Sequence, residues 1–141
     1  MNFPYRQTLI HPKNKLFPNQ KYLLRPVIPI TFQTKNGSLE YAALIDSGAD
    51  YCLFHAFIAE QIGLNVKKGK VLVYYGTSGK QNKAYFHEVE FTVGETLVKS
   101  FVGFSYDIEE LDFGLLGQNG FFDKFEVKFN VNKEEIELTA I

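Results

Sequence analysis

The chain contains no tryptophan, one methionine and one cysteine, Cys52, among its 141 residues. A lone cysteine excludes an internal disulfide, which fits a reducing compartment. The histidines, His11, His55 and His87, are scattered and have no cysteine partners, so metal-ligand spacing is missing. No apolar run reaches the roughly 18 residues that a membrane-spanning helix needs. The opening stretch MNFPYRQTLIHPKN lacks the basic-then-apolar pattern of a secretion signal. Charge of one sign is lacking as well. The 15 basic and 16 acidic residues leave a formal net charge of −1, with no field to recruit nucleic acid or an anionic membrane. Lys67, Lys68 and Lys70 form the one small basic cluster, and it reads as a solvated turn. Together these absences predict a soluble cytoplasmic domain with no metal, no cofactor, and no nucleic-acid or membrane partner.

Aromatic residues are abundant instead, with 14 Phe and 8 Tyr. Such side chains suit half-buried strands, so the composition leans towards β structure. Apolar residues at 45% and charged residues at 22% suit one globular domain, which at this length buries a sizeable core without staples.

Residues 1–22, with Pro4, Pro12 and Pro18, read as an extended arm on the surface or at a sheet edge, ahead of a domain over 23–141. Val27, Ile28, Ile30 and Phe32 lie in a β-rich run whose first half Pro26 and Pro29 demote to an edge. Asn36-Gly37 is expected to supply the positive φ angles of a tight hairpin turn. Beyond it Tyr41 to Ile45 forms a second strand that runs into Asp46. Asp50 to Phe54 reads as a short strand. Ala56, Phe57, Ile58, Ile62 and Leu64 suggest a short helix that His55 starts and Gly63 ends. Val71–Tyr75 and Tyr85–Val93 read as strands joined by the polar, glycine-bounded tip Gly76 to Asn82. Gly94-Glu95 makes a turn and Leu97–Phe104 another strand. Residues 107–112 read as an acidic helical turn or loop, and Gln118–Lys124 as a short helix with Phe121 and Phe125 on one face. Val127, Phe129 and Val131, then Ile136 and Leu138, alternate as a last hairpin around Asn132-Lys133. Short strands with a turn signal every 8–12 residues predict a mainly β, closed or nearly closed barrel with one or two short helices.

The chemistry concentrates in Ala43-Leu44-Ile45-Asp46-Ser47-Gly48-Ala49-Asp50. An Asp directly after a buried apolar strand, followed by a hydroxyl residue and Gly, puts a carboxylate on a tight turn at the edge of the core. Gly48 permits the turn and the close approach of another backbone, and the Ser47 hydroxyl can bond neighbouring backbone and stiffen it. Taken alone, an Asp-Ser-Gly sequence is an ordinary turn.

The segment resembles the Asp-Thr/Ser-Gly-Ala signature of aspartic proteases. About seventy residues later, Gly114-Leu115-Leu116-Gly117 looks like the apolar-apolar-Gly element that passes beside the catalytic loop in that fold. The continuation from Gln118 to Phe129 is similar to the segment that closes bacterial retropepsin-like domains, and Gly76–Gly79 occupies the position of the family's flap. The ordered set spans residues 23–131. The resemblance implies a retropepsin-like barrel and an aspartic endopeptidase that uses neither metal nor cofactor. It further implies Asp46 as the catalytic residue, with Ser47 and Gly48 supporting its loop. Ala49, Asp50, Gly76, Thr77, Ser78 and Gly79 would meet the substrate.

In that family two carboxylates share a proton and activate a water. This chain offers one such turn, because Asp112-Phe113-Gly114 lacks the hydroxyl residue and the chain is too short for a second lobe. A homodimer is therefore expected, with Asp46 of each copy meeting on a two-fold axis and Ser47 bonding across it. Two departures stand out. Retroviral members often carry Arg at the position of Gln118, where it pairs with the acid at Asp50. Without that partner, Asp50 either binds substrate main chain or caps the following segment. The hydroxyl residue is Ser47 where Thr is commoner, which keeps the hydrogen bond and loses a methyl.

Other candidates rank below this one. Gly79-Lys80 lacks the remaining elements of a phosphate loop, and Cys52 has no histidine motif beside it and reads as a buried core thiol. His55 and His87 earn no catalytic role from position. Two rival readings remain open on the sequence: an inactive peptide-binding or dimerisation module on the same fold, and an unrelated β-barrel binding domain.

Overall fold

The structure, a computed structural model, describes residues 1–76, 78–108 and 113–141. In chain order the strands are β1 (Asn2–Pro4), β2 (Arg6–Leu9), β3 (Tyr22–Arg25), β4 (Val27–Thr34), β5 (Gly37–Ile45) and β6 (Leu53–His55). The helix α1 (Ala56–Gln61) and a 3-10 turn at Val66–Lys68 follow. Then come β7 (Lys70–Tyr75), β8 (Gln81–Val93), β9 (Thr96–Ser105), β10 (Gly114–Leu116), β11 (Phe125–Asn130) and β12 (Glu135–Ala140). The expected mainly β architecture holds, with one short α-helix among the described residues. That six-residue helix is far too short to cross a membrane.

The main sheet has the order β4-β5-β10-β6-β9-β8-β7 and becomes ring-like because β4 also pairs with β8 at Thr31↔Thr92 and Phe32↔Phe91. β7 stays outside the ring as an edge strand. Two smaller sheets, β1-β12-β11 and β2-β3, complete the chain. The N-terminal residues are thus strands: β1 lies at the edge of β12, and the boundary expected after residue 22 falls inside β3.

Alternation explains most of this. In β8 the residues Ala84 and Phe86 face inward, and after a change of parity so do Val89, Phe91 and Val93. The switch falls where β8 leaves β7 and approaches β4, as in a strand that turns a corner between two layers. Inside the ring Phe54 packs edge-on to Phe32 at 5.4 Å, and Phe32 meets Phe91 at 5.7 Å. All three rings are fully buried, together with Ile28, Ile30 and Leu116. Aromatic payload of this kind is the dominant stabilising term in a barrel core.

Several expectations change in detail. The hairpin loop between β4 and β5 is Lys35-Asn36, since Thr34 pairs with Gly37, and only Gly37 has positive φ, at +142°. The strand expected at Asp50–Phe54 begins at Leu53, preceded by a single bridge from Tyr51 to Asn119. β8 starts at Gln81, which shortens the tip to 76–80. The helix expected over Gln118–Lys124 is a run of turns. There Phe122 and Asp123 bond back five residues, to Gly117 and Gln118, and Gly120 sits at φ +109°. Phe121 and Phe125 still stack at 5.0 Å, both buried, so the i, i+4 pattern marks a shared pocket without a helix. Of the acidic stretch 107–112, residues 109–112 lie outside the described residues, as does Thr77.

Candidate active site

β5 carries Ala43 and Ile45 into the core and delivers Asp46 at its end. Its neighbour β10 runs parallel, with Gly114↔Ala43, Leu115↔Leu44 and Leu116↔Ile45, so both strands stop at the same level. β10 also pairs antiparallel with β6. It therefore inserts between the two strands that flank the loop 46–52, and the Asp46 N–H donates to the Leu116 carbonyl at 3.0 Å. Gly114 allows this insertion, because a Cβ there would lie 2.2 Å from the Phe54 ring. At Gly117 the obstacle is backbone: a Cβ would meet the Tyr51 carbonyl oxygen at 2.3 Å. The Gly-Leu-Leu-Gly element thus passes directly beside the Asp-Ser-Gly loop.

Asp46 is half-buried, and its Oδ1 accepts the Gly48 N–H at 2.9 Å. The Ala49 N–H donates to the Asp46 carbonyl at 3.1 Å, closing the turn. Gly48 does not use the left-handed region. Its contribution is space, since a Cβ would stand 3.2 Å from Asp46 Oδ1. The exposed Ser47 hydroxyl makes no hydrogen bond to the described residues of its own chain, so the turn is not braced by that side chain as expected. It is braced through the Ser47 carbonyl, which accepts Gln118 Nε2 at 2.8 Å. The Gln118 N–H donates to the Ala49 carbonyl at 2.8 Å, and Asn119 donates both its N–H and its Nδ2 to the Asp50 carbonyl at 2.9 Å. The Asp50 carboxylate is exposed and bonds none of the described residues, so it caps none of them.

Among the described residues, none of the tip glycines, Ser78, Cys52 or the histidines hydrogen-bonds Asp46. Gly76 and Ser78 are exposed at the tip of the β7–β8 hairpin, and Gly79, at φ +74°, donates its N–H to the Gly76 carbonyl at 3.0 Å. No hydrogen bond joins the described tip residues to the Asp46 turn within one chain. Cys52 is fully buried, accepts the Gly117 N–H at 3.4 Å, and has its thiol pushed up to about 11 by burial. It is a core residue. His55 caps α1, its Nδ1 accepting from the Phe57 N–H at 3.1 Å, and His87 Nε2 bonds the Val66 carbonyl at 2.8 Å. Among the described residues no cluster of three or more His, Cys, Asp or Glu is placed to hold a metal.

Sequence reasoning missed three features. Gln118 appeared as a lost ion-pair partner, whereas it grips the loop as a hydrogen-bond donor; its place after Gly117 was the available signal. The root of the β7–β8 hairpin is tied down by Ser105, fully buried, which donates to the Lys83 carbonyl at 2.5 Å and accepts from the Tyr74 hydroxyl at 3.3 Å. Asp107 accepts the Lys83 N–H at 2.8 Å in the same network, and burial pushes the Tyr74 phenol above its ordinary range. Last, a groove of about 910 Å³ is lined by Tyr51, Phe86, Phe101 and residues of the 119–124 turn, and not by Asp46.

Comparison with known proteins agrees with this geometry. The sequence model of the family described as Aspartyl protease matches residues 28–119. Among solved structures, the chain is similar to a retropepsin-like aspartic protease from Rickettsia conorii. The TM-score is 0.50 at 21% sequence identity, over 78% of this chain and 96% of that one, a likeness of fold. No curated protein matches.

Proposed function

The chain belongs to the aspartyl protease family, and from that premise we propose that it is an aspartic endopeptidase whose site forms when two copies pair. The observation that carries the proposal is the position of Asp46. It is a half-buried carboxylate at the end of a core strand, on a turn gripped by β10 and the Gln118-Asn119 turn, with an exposed Ser47-Gly48 beside it.

One such carboxylate can bind a water but cannot both deprotonate it and protonate the peptide. Two copies related by a two-fold axis supply the second carboxylate. Like charges held close cannot both ionise, so the pair keeps one proton between them at acidic to near-neutral pH. The ionised Asp46 takes a proton from the water as the oxygen attacks the peptide carbonyl carbon. The protonated Asp46 of the other copy donates to the carbonyl oxygen, giving a gem-diol. The proton gained from water then passes to the amine nitrogen as the C–N bond breaks, and one gem-diol hydroxyl returns a proton to the other copy's carboxylate, restoring the dyad. Ser47 hydroxyls, unbonded to the described residues of their own chain, would bond across the axis. The substrate is an extended peptide, with the half-buried Ala49, the exposed Asp50 and the tip residues Gly76, Thr77, Ser78 and Gly79 as its backbone partners. The tip acts as a flap over it. Residues 23–141 form the protease domain and 1–22 its arm.

Digestion of a peptide library at several pH values, with Asp46→Asn run alongside, tests this. Cleavage by the native chain and none by the variant is the expected result. Equal cleavage by both would show that Asp46 is not the catalytic group, and no cleavage by either would favour the inactive peptide-binding or dimerisation module.

A further inference from the structure

Two consecutive residues, Gln118 and Asn119, hold three of the four carbonyls that follow Asp46: Ser47, Ala49 and Asp50. The first bond matters most for chemistry. Gln118 Nε2 donates to the Ser47 carbonyl at 2.8 Å, and the Gly48 N–H donates to Asp46 Oδ1 at 2.9 Å. That carbonyl and that N–H belong to the same peptide unit, which is planar and rigid. Fixing its oxygen fixes the direction of its N–H. The donor at the oxygen also polarises the unit and strengthens the N–H as a donor, as in any chain of hydrogen bonds.

We propose that Gln118 is a positioning residue for the Asp46 carboxylate, acting through the Ser47–Gly48 peptide. The Gln118 side-chain amide sets the orientation of the Gly48 N–H, and the Gly48 N–H sets the orientation and basicity of the carboxylate. Gln118 acts on the carboxylate only through that peptide unit. The relay is made of neutral groups, so it does not titrate. It leaves the Asp50 carboxylate outside the clamp, exposed and unbonded to the described residues. This inference rests on the protease reading for its kinetic consequence but not for its structural one.

The absence of charge supplies the test. In Gln118→Glu the side chain keeps its length, but the ionised carboxyl has no hydrogen to give the Ser47 carbonyl. When protonated it can donate again. Against a cleaved peptide, kcat of Gln118→Glu is expected to fall about two- to tenfold near neutral pH, the worth of one hydrogen bond, with KM unchanged. The ratio to the native enzyme should return towards one as pH falls through roughly 4.3. Gln118→Ala should show the same deficit without the acid recovery. Independently of turnover, the Gly48 amide should exchange faster in both variants at neutral pH, and at native rate only in Gln118→Glu at acid pH. Side chain 118 is exposed, so both variants are expected to fold. A flat activity ratio with unchanged Gly48 exchange would overturn the role assigned to Gln118. If the native chain cleaves no peptide at any pH, the protease reading fails and the exchange measurement alone decides the relay.

Discussion

Gly117 sits where a side chain has no room, with the Tyr51 and Ala49 carbonyl oxygens 2.3 and 2.7 Å from where a Cβ would stand. Both obstacles are backbone, so neither can swing aside. Gly117→Ala must push the Asp46-loop side of this junction away from β10, and it should destabilise the chain by about 2–3 kcal/mol. Urea unfolding measures this; a loss under about 0.5 kcal/mol, the range of ordinary surface changes, would show that the junction yields. Cys52, on the same junction, makes a second prediction. Its thiol titrates near 9 when unfolded and is pushed up to about 11 in the fold by burial. Between those values the unfolded chain holds fewer protons than the folded one, so stability falls as pH rises through that window. At pH 8 the native thiol should resist alkylation while the urea-unfolded chain reacts; equal rates would mean that Cys52 is accessible. The meeting of Gly117 with the Asp46 loop was legible in the sequence only because two short motifs resembled a known pair. Nothing in periodicity reports that residues 45 and 116 pair in parallel across seventy positions. The Gln118 grip was illegible for a related reason: a glutamine side chain carries no sign of which distant carbonyl it will reach.

The elements divide in the same way. Strands that alternate, such as β12 and each half of β8 on either side of its change of parity, were readable because burial on one face repeats every second residue. The 118–124 stretch was not, because a Phe pair at i, i+4 is compatible with any backbone that folds both rings into one pocket. Gly120 at positive φ, and the Asn119 N–H committed to Asp50, divert the chain from a helix. The hairpin tip between β7 and β8 shows how structure sharpens a reading. Gly79 has φ +74°, while Gly76 has ordinary φ and only the Asn82 amide at 3.6 Å from an added Cβ. Gly79→Val should therefore cost roughly 1–2 kcal/mol of backbone strain, and Gly76→Val close to none. Under the flap role proposed for the tip, both should lower turnover. Thermal unfolding and peptide kinetics on the pair separate the two effects. Unchanged kinetics in both variants would leave the tip an ordinary surface hairpin. Amides of the tip should also slow their exchange when a non-cleavable peptide analogue binds.

At the scale of the molecule, one ring of strands presents one Asp-Ser-Gly turn, and the chemistry proposed for it needs two. The fold, family and position of Asp46 are properties of the single chain; the dyad is not. The Ser47 hydroxyl, exposed and unbonded to the described residues of its own chain, is the group the proposed dimer would use. Ser47→Ala should accordingly weaken dimerisation by about 0.5–1.5 kcal/mol per chain while leaving monomer stability unchanged. A sedimentation series that shows no difference would remove the cross-axis bond. The most direct test of a dyad shared between copies is to refold native chain together with Asp46→Asn and measure peptide cleavage. Random pairing at equal amounts leaves about one quarter of the dimers with two carboxylates. Specific activity per native chain should then fall to about half that of native chain refolded alone at the same total concentration. Activity strictly proportional to the amount of native chain, whatever the amount of variant, would contradict the shared site and place all of the catalysis within one copy.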